Sequence, residues 1–514
     1  MKQTYLILTT VATAILLGCT TGALDKVNPN QVTTADYYKT ADDLVKGVNA
    51  TYAVWQSYAL TASEWWFLHD LRSDDVASGG GQLEAPRSQL LIGAQSPNNA
   101  VAFAVWNGLF RAIHRANVVI DRGATVTDNP ALVKRAIAEA TFMRALSYFE
   151  LVTLWGGVPL YTAYVKDISG TKPKSTAEQV YQQIIADLLA AQTNLPTTYG
   201  GADLGRATKG AAQMLLARVY AQRGGQDDYA NARTQLQPMI ASGVYRLIDT
   251  YTDNFTEENG NNPESVFEIG FSKIGDFNWD GDGNDYAANE TSSRSQSYNP
   301  IGWRNLIPSN TLLADFEQTT KGDAKTDPRL AYSFYFTGDL FNNGKDTLRD
   351  GQVQGNTSVF NGLTQKVSWR KYTALYKNDQ TYYTSGINQR IMRYADALLL
   401  MAECENEAGN GPAALALLNQ VRARKSVAMP PYPTKNFPVG TKDAITQAII
   451  HERRVELSGE DTRNRDVLRW RKQGKLKTEP LSYFQANKQE LLPIPQQELN
   501  NNTKLTAADQ NPGY

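Results

Sequence analysis

Apolar residues recur at three- and four-residue steps through the first half of the chain and again near its end, which predicts a mostly α-helical protein. The clearest case runs from Glu139 to Pro159. Phe142, Ala145, Phe149 and Val152 share one helical face, and Ala138 extends that stripe back by a turn. Gly156 and Gly157 supply a permissive helix end, and Pro159 keeps the helix from resuming. Upstream, Ala35 to Ser57 reads as a helix burying Tyr37, Leu44, Val48 and Tyr52, with Thr33 or Thr34 as its N-cap. Helical pattern also covers Asn99 to Ile120 and the residues from Pro130 onward. It returns from Thr176 to Asn194, where Val180, Ile184, Leu188 and Ala191 form the stripe. Trp65 to Gln89, with Gly79-Gly80-Gly81, reads instead as a polar loop.

Two segments share a hairpin pattern. Ala211 to Tyr220 leads through Gly224-Gly225 into Tyr229 and beyond; Tyr394 to Glu403 leads through Gly409 to Gly411 into Pro412 to Val421. Small residues allow close helix approach, the pattern of tetratricopeptide-type repeats, although the spacing is irregular. Residues 245–389 lack this periodicity and are rich in Asn, Asp, Gly, Ser and aromatics. Val266 to Phe271 and Leu330 to Phe336 are candidates for short strands there. A long irregular segment on a regular scaffold is where binding residues concentrate. The expected fold is therefore a helical-hairpin scaffold carrying a loop-rich insertion with a few short strands.

The amino terminus has a different pattern. Lys2 precedes an apolar run from Tyr5 to Leu17, shorter than the roughly 20 residues that span a bilayer. Leu16-Leu17-Gly18-Cys19 resembles a bacterial lipobox, which implies cleavage before Cys19 and acylation of that residue; Leu17 is bulkier than usual at its position. Attachment would then rest on the acyl chains alone. The expected sections are 1–18 as signal peptide, 19–34 as lipidated tether, 35–244 as N-terminal helices, 245–389 as variable ligand-binding loops and 390–514 as C-terminal helices.

Composition narrows the chemistry. The 514 residues include 51 Lys+Arg against 52 Asp+Glu, a net charge of −1 that offers nucleic acid no basic field. With Cys19 acylated, Cys404 has no partner and reads as a small core residue. There is no Gly-x-Ser-x-Gly elbow, zinc helix or phosphate loop, and His69, His114 and His451 lack metal-ligand spacing. Asp276, Asn278, Asp280 and Asp282, with Gly281, resemble the first half of a calcium loop, but Ala287 stands where a bidentate Glu belongs. A solvated Asn/Asp/Gly turn is the alternative, and no cofactor is required.

The Glu139 to Pro159 wording resembles the signature helix of the SusD/RagB family of nutrient-uptake outer-membrane lipoproteins. Further blocks resemble it in order: Asp327-Pro-Arg329, Arg393 to Glu403, Asn419 to Arg424, Glu452-Arg-Arg-Val-Glu-Leu457 with Arg463, Asp466 and Arg469-Trp470, then Leu492-Pro-Ile-Pro495 and Asp509 to Tyr514. The alternating charges around Glu452 read as ion-paired helix and not as a catalytic site. The resemblance implies a SusD-like fold, facing the cell exterior, that captures an oligosaccharide and passes it without catalysis to a SusC-like TonB-dependent transporter. It implies contacts by region: Trp65, Trp66, Arg72, Asp74 and Asp75, then Asn278, Trp279, Asp280, Tyr286, Tyr298, Trp303 and Arg304. Trp279, amid polar turn residues, is the first candidate. The alternatives are a helical-repeat assembly protein for a polypeptide partner and a secreted glycoside hydrolase, which would need two suitably spaced carboxylates.

Overall fold

The computed structural model describes residues 37–273, 277, 279, 289–380 and 383–514. Cys19 and the lipobox lie outside them, as do Asp276, Asn278, Asp280, Asp282 and Tyr286. The helices are α1 (Ala41–Trp55), α2 (Glu64–Leu71), α3 (Ala85–Leu91), α4 (Ala100–Gly123), α5 (Pro130–Trp155), α6 (Ala177–Ala191), α7 (Lys209–Arg223) and α8 (Asp228–Ala241). After them come the short α9 (Arg294–Tyr298), α10 (Asn310–Asp315) and α11 (Arg329–Ser333), then α12 (Tyr394–Glu407), α13 (Gly411–Arg422), α14 (Lys442–Leu457), α15 (Arg463–Lys472) and α16 (Gln496–Asn501).

Helix α1 starts later than its pattern suggests. Thr40 caps it by accepting from the Asp43 amide, and Asp43 returns a bond to the Thr40 backbone. Leu44 and Val48 are buried, but Tyr37 lies before the cap and is exposed. Helix α5 is buried on every side from Ala138 to Trp155, so the single stripe understates it. Gly156 ends it with φ +72°, and a side chain on Gly157 would strike the Ser175 carbonyl oxygen at 2.3 Å. The expected hairpins are α7–α8 and α12–α13, and α8 packs against α12.

Strands are few and short, paired as antiparallel twos. β1 (Val76–Ser78) meets β3 (Leu306–Pro308), and β2 (Ser265–Ile269) meets β10 (Gln389–Arg393). β4 (Phe334–Phe336) meets β9 (Val367–Trp369); β5 (Leu340–Phe341) and β6 (Asp346–Thr347) form one hairpin, β7 (Ser358–Phe360) and β8 (Leu363–Gln365) another. The candidate strand 330–336 is thus half helix (α11) and half strand. One hydrophobic cluster runs from Val54 through Phe142, Phe267 and Leu399 to Ile494, so β2 is packed into the helical body. Cys404 is buried in that body.

The charged run of α14 and α15 is folded inward. Glu456 accepts from Arg393 at 2.7 Å, Arg424 at 2.9 Å and Arg329 at 2.9 Å, and all four side chains are buried. Asp327 holds Arg329 from the other side at 2.7 Å. Arg453 bridges Asp396 and Asp466 at 2.7 and 2.8 Å. Helical spacing predicts pairing along the helix; most partners come instead from distant segments, which stitches the C-terminal helices to the middle of the chain. Burial alone would raise Glu456, but Arg424, Arg393 and Arg329 hold it well below the usual carboxylate range. No described helix is long and apolar enough to cross a membrane.

Candidate functional site

Several expected contact residues belong to the interior. The segment 65–89 is no open loop, because Glu64 to Leu71 forms α2, wholly buried. Trp65 donates to Glu150 on α5 at 3.1 Å, and Trp66 packs edge-on against Tyr298. Glu150 also accepts from His69 at 2.7 Å and Arg465 at 3.0 Å, while the other His69 nitrogen faces the Asn464 amide. Burial works to raise Glu150, yet Arg465 and His69 hold it at about 2. Arg72 is buried and donates to the Gln489 carbonyl at 3.0 Å. Asp74 is clamped by Arg463 at 2.7 Å and Arg454 at 2.9 Å, and Asp75 by Arg454 at 2.9 Å. Burial opposes the Asp74 charge, but the two guanidiniums overcome it and lower its pKa.

These five positions therefore offer no free face to a ligand. Tyr298 and Arg304 are corrected in the same way. Tyr298 is fully buried and its hydroxyl donates to Asp70. Arg304 donates to the carbonyls of Gln354, Asn356 and Val367 at 2.7–2.8 Å and to the Ser368 hydroxyl at 2.7 Å. Burial alone pushes Arg304 down to about 10. A wholly apolar run such as Trp65-Trp-Phe-Leu68 carries the signal of a buried helix, and loop composition around it hides that signal.

Trp279 and Trp303 come together. Their ring centroids lie 4.8 Å apart with planes at 51°, and Phe277 stands 4.4 Å from Trp279. Trp279 is 42% exposed. The rings form one wall of a cavity of about 750 Å³ that also takes in Tyr58, Arg87, Lys273, Thr291, Gln296 and Tyr383. Tyr58 follows the end of α1 and meets Phe277 at 6.2 Å. Lys273 sits 3.5 Å from the centre of the Tyr383 ring, a cation on an aromatic face. The Thr291 hydroxyl and the Arg87 Nε are buried and make no hydrogen bond to the described residues.

Short helix α9 carries this wall. Arg294 grips Asp461 with two bonds of 2.8 and 3.0 Å and reaches Asp70 at 3.2 Å. Burial and the neighbouring Asp461 carboxylate raise the pKa of Asp70. Fixed by that cluster, α9 presents Gln296, whose carbonyl accepts from the Trp303 amide at 2.9 Å. Angled indole faces beside hydroxyl, carboxamide and cationic groups suit a ligand with alternating apolar faces and hydroxyls. Lys273, Thr291, Gln296 and Tyr383 fall within the expected ligand-binding stretch 245–389 but are not singled out in it, and Tyr58 lies outside it, just past the first predicted helix. Among the described residues no group of three or more His, Cys, Asp or Glu could hold a metal.

Residues 263–514 match the model described as the SusD family, and residues 24–221 match the model described as starch-binding, associating with outer membrane. The chain belongs to the SusD family. It is 28% identical to SusD-like protein P2 of Formosa agariphila, over 93% of this chain and 94% of that one. To the starch-binding protein SusD of Bacteroides thetaiotaomicron it is 26% identical, over 83% of this chain and 81% of that one. A solved laminarin-binding SusD-like protein superposes with a TM-score of 0.74 at 28% identity, covering 93% of this SusD-like chain and all of the other.

Proposed function

We propose that this SusD-like protein captures an oligosaccharide at the outer membrane, with the Trp279–Trp303 cavity as its binding site. The observation that carries this reading is the pair of indoles at 4.8 Å, one of them with an exposed face, beside unpartnered buried polar atoms. Starch binding by one relative and laminarin binding by another support the ligand class. In the same proposal Cys19 carries the lipid anchor, the body faces the cell exterior, and the ligand passes unchanged to a SusC-like TonB-dependent transporter. Calorimetry against starch, laminarin and other neutral glycans tests the binding step. Trp279→Ala should weaken binding at an unchanged melting temperature. Release of reducing ends from any bound glycan would overturn the non-catalytic part, and membrane retention of Cys19→Ala would overturn the anchor.

A further inference from the structure

A second hollow lies beside the aromatic cavity. It has a volume of about 270 Å³, between α1 and the turn around Gly205, and its lining includes Asn49, Gln56, Leu204, Arg206, Asn261 and Glu268. The two spaces share no lining residue, but neighbouring stretches of the same segments wall both. Helix α1 supplies Asn49 and Gln56 to the hollow, and the chain two residues later supplies Tyr58 to the cavity. Strand β2 supplies Glu268 and leads through Gly270 to Lys273 of the cavity. Gln56 stands on the hollow's side of the boundary, its side chain donating to the Gly270 carbonyl at 2.7 Å and its main-chain carbonyl accepting from the Asn289 amide at 3.1 Å. From Asn289 the chain needs only two residues, about 7 Å of extended backbone, to place Thr291 in the cavity wall.

The chemistry of the hollow is polar but electrically closed. Arg206 is paired with Glu139 at 3.0 Å and Asp203 at 2.6 Å. Glu268 accepts the Ser265 hydroxyl at 2.8 Å and the Asn388 amide at 2.5 Å. The groups with bonding capacity to spare are carboxamides. Asn261 is held in the left-handed region at φ +53° while its backbone amide donates to Glu268, and Asn49 is exposed with one oxygen already facing Arg206. Such groups match sugar hydroxyls, and they give an anionic ligand no uncompensated cation.

We propose that this hollow is a second subsite, continuing the aromatic cavity across Gln56, and that the ligand is an uncharged oligosaccharide chain long enough to fill both. The inference rests on the reading of the aromatic cavity as the glycan site. The rise of α1 from Asn49 to Gln56, about 10 Å at 1.5 Å per residue, is the added length that the chain would cover.

The test is calorimetry of the mature chain with short and long malto-, laminari- and cello-oligosaccharides. For the series that binds, wild-type affinity should rise at least about tenfold with length. In Asn49→Ala/Asn261→Gly, and in Leu204→Trp, which would fill the hollow, most of that gain should vanish while the short ligand binds as before. Unchanged affinity for the short ligand and an unchanged melting temperature show that both variants fold. Binding without length dependence, or a gain untouched by both variants, would overturn the second subsite and leave the aromatic site standing. No binding in any series would overturn the aromatic site and this proposal with it.

Discussion

The α14–α15 run and the Trp279–Trp303 cavity both concentrate residues that can bind ligands, yet they use them in opposite ways. In the helices, guanidiniums and carboxylates are buried and directed at one another, as Glu456 is by three arginines. In the cavity, Trp279 keeps an open face, and Thr291 and Arg87 keep polar atoms without a described protein partner. Residue type is therefore a poor guide to function in this chain. What separates scaffold from site is exposure: the charged groups of the helices are buried against one another, whereas Trp279 keeps a face open beside a cavity.

The scaffold half of that contrast should fail hardest. Glu456→Ala removes the carboxylate that Arg329, Arg393 and Arg424 share, leaving them Asp327, Glu460 and Glu264 as partners, and breaking a buried ion pair costs about 3–5 kcal/mol. Urea unfolding should register that loss; a variant as stable as wild type would mean the network relaxes to solvent. Trp66→Ala empties a fully buried site and should cost about 3–5 kcal/mol as well. Glycan affinity per folded molecule should be unchanged, and a selective loss of binding would return Trp66 to the ligand surface.

Glu150 gives the same scaffold a pH signature. Its pKa in the fold is about 2, below the ordinary value of 4.5, so the stabilisation is present above 4.5 and fades as pH falls through 2. The full effect is roughly 3 kcal/mol at about 1.4 kcal/mol for each tenfold change. His69, lowered by burial and by Arg465, adds to the same slope from its ordinary 6.5 downward. Chemical denaturation between pH 7 and 3 should show stability falling with acidity, and Glu150→Gln should flatten the curve. An equally steep curve in the variant would place the acid sensitivity elsewhere.

Periodicity made the helices legible because a buried stripe repeats locally; α6 and the α7–α8 hairpin follow their patterns closely. It could not show that α5 is buried all round, since that depends on which helices surround it. Nor did the polar stretch around each separate Trp65 from Trp279: the apolar run Trp65-Trp-Phe-Leu68 was the one local hint, and the packing of α2 against Glu150 and Arg465 makes Trp65 core. The cavity was legible at Trp279 and Trp303 as residue types in a variable region. Its other walls come from positions more than 300 residues apart in sequence, from Tyr58 to Tyr383, and no local pattern encodes such a meeting.

On the site half, Trp279→Ala should weaken glycan binding by about 1–3 kcal/mol, the range of a strong aromatic contact, because its exposed face contributes little to the fold. Loss of melting temperature in step with affinity would make Trp279 part of the core and erase the contrast with Trp66.

The smallest effect is the most discriminating. Thr291 is 1% exposed, and its hydroxyl has no hydrogen-bond partner among the described residues. A buried hydroxyl left unpaired is a burden on the free protein, so Thr291→Val should leave stability unchanged or raise it slightly. If a sugar hydroxyl completes that bond, the same change should cost about 1 kcal/mol of affinity. Opposite signs in thermal melting and calorimetry would mark the group as held for ligand. A variant that melts earlier but binds normally would show the hydroxyl serving the fold, and the boundary between scaffold and site would then run through the cavity wall itself.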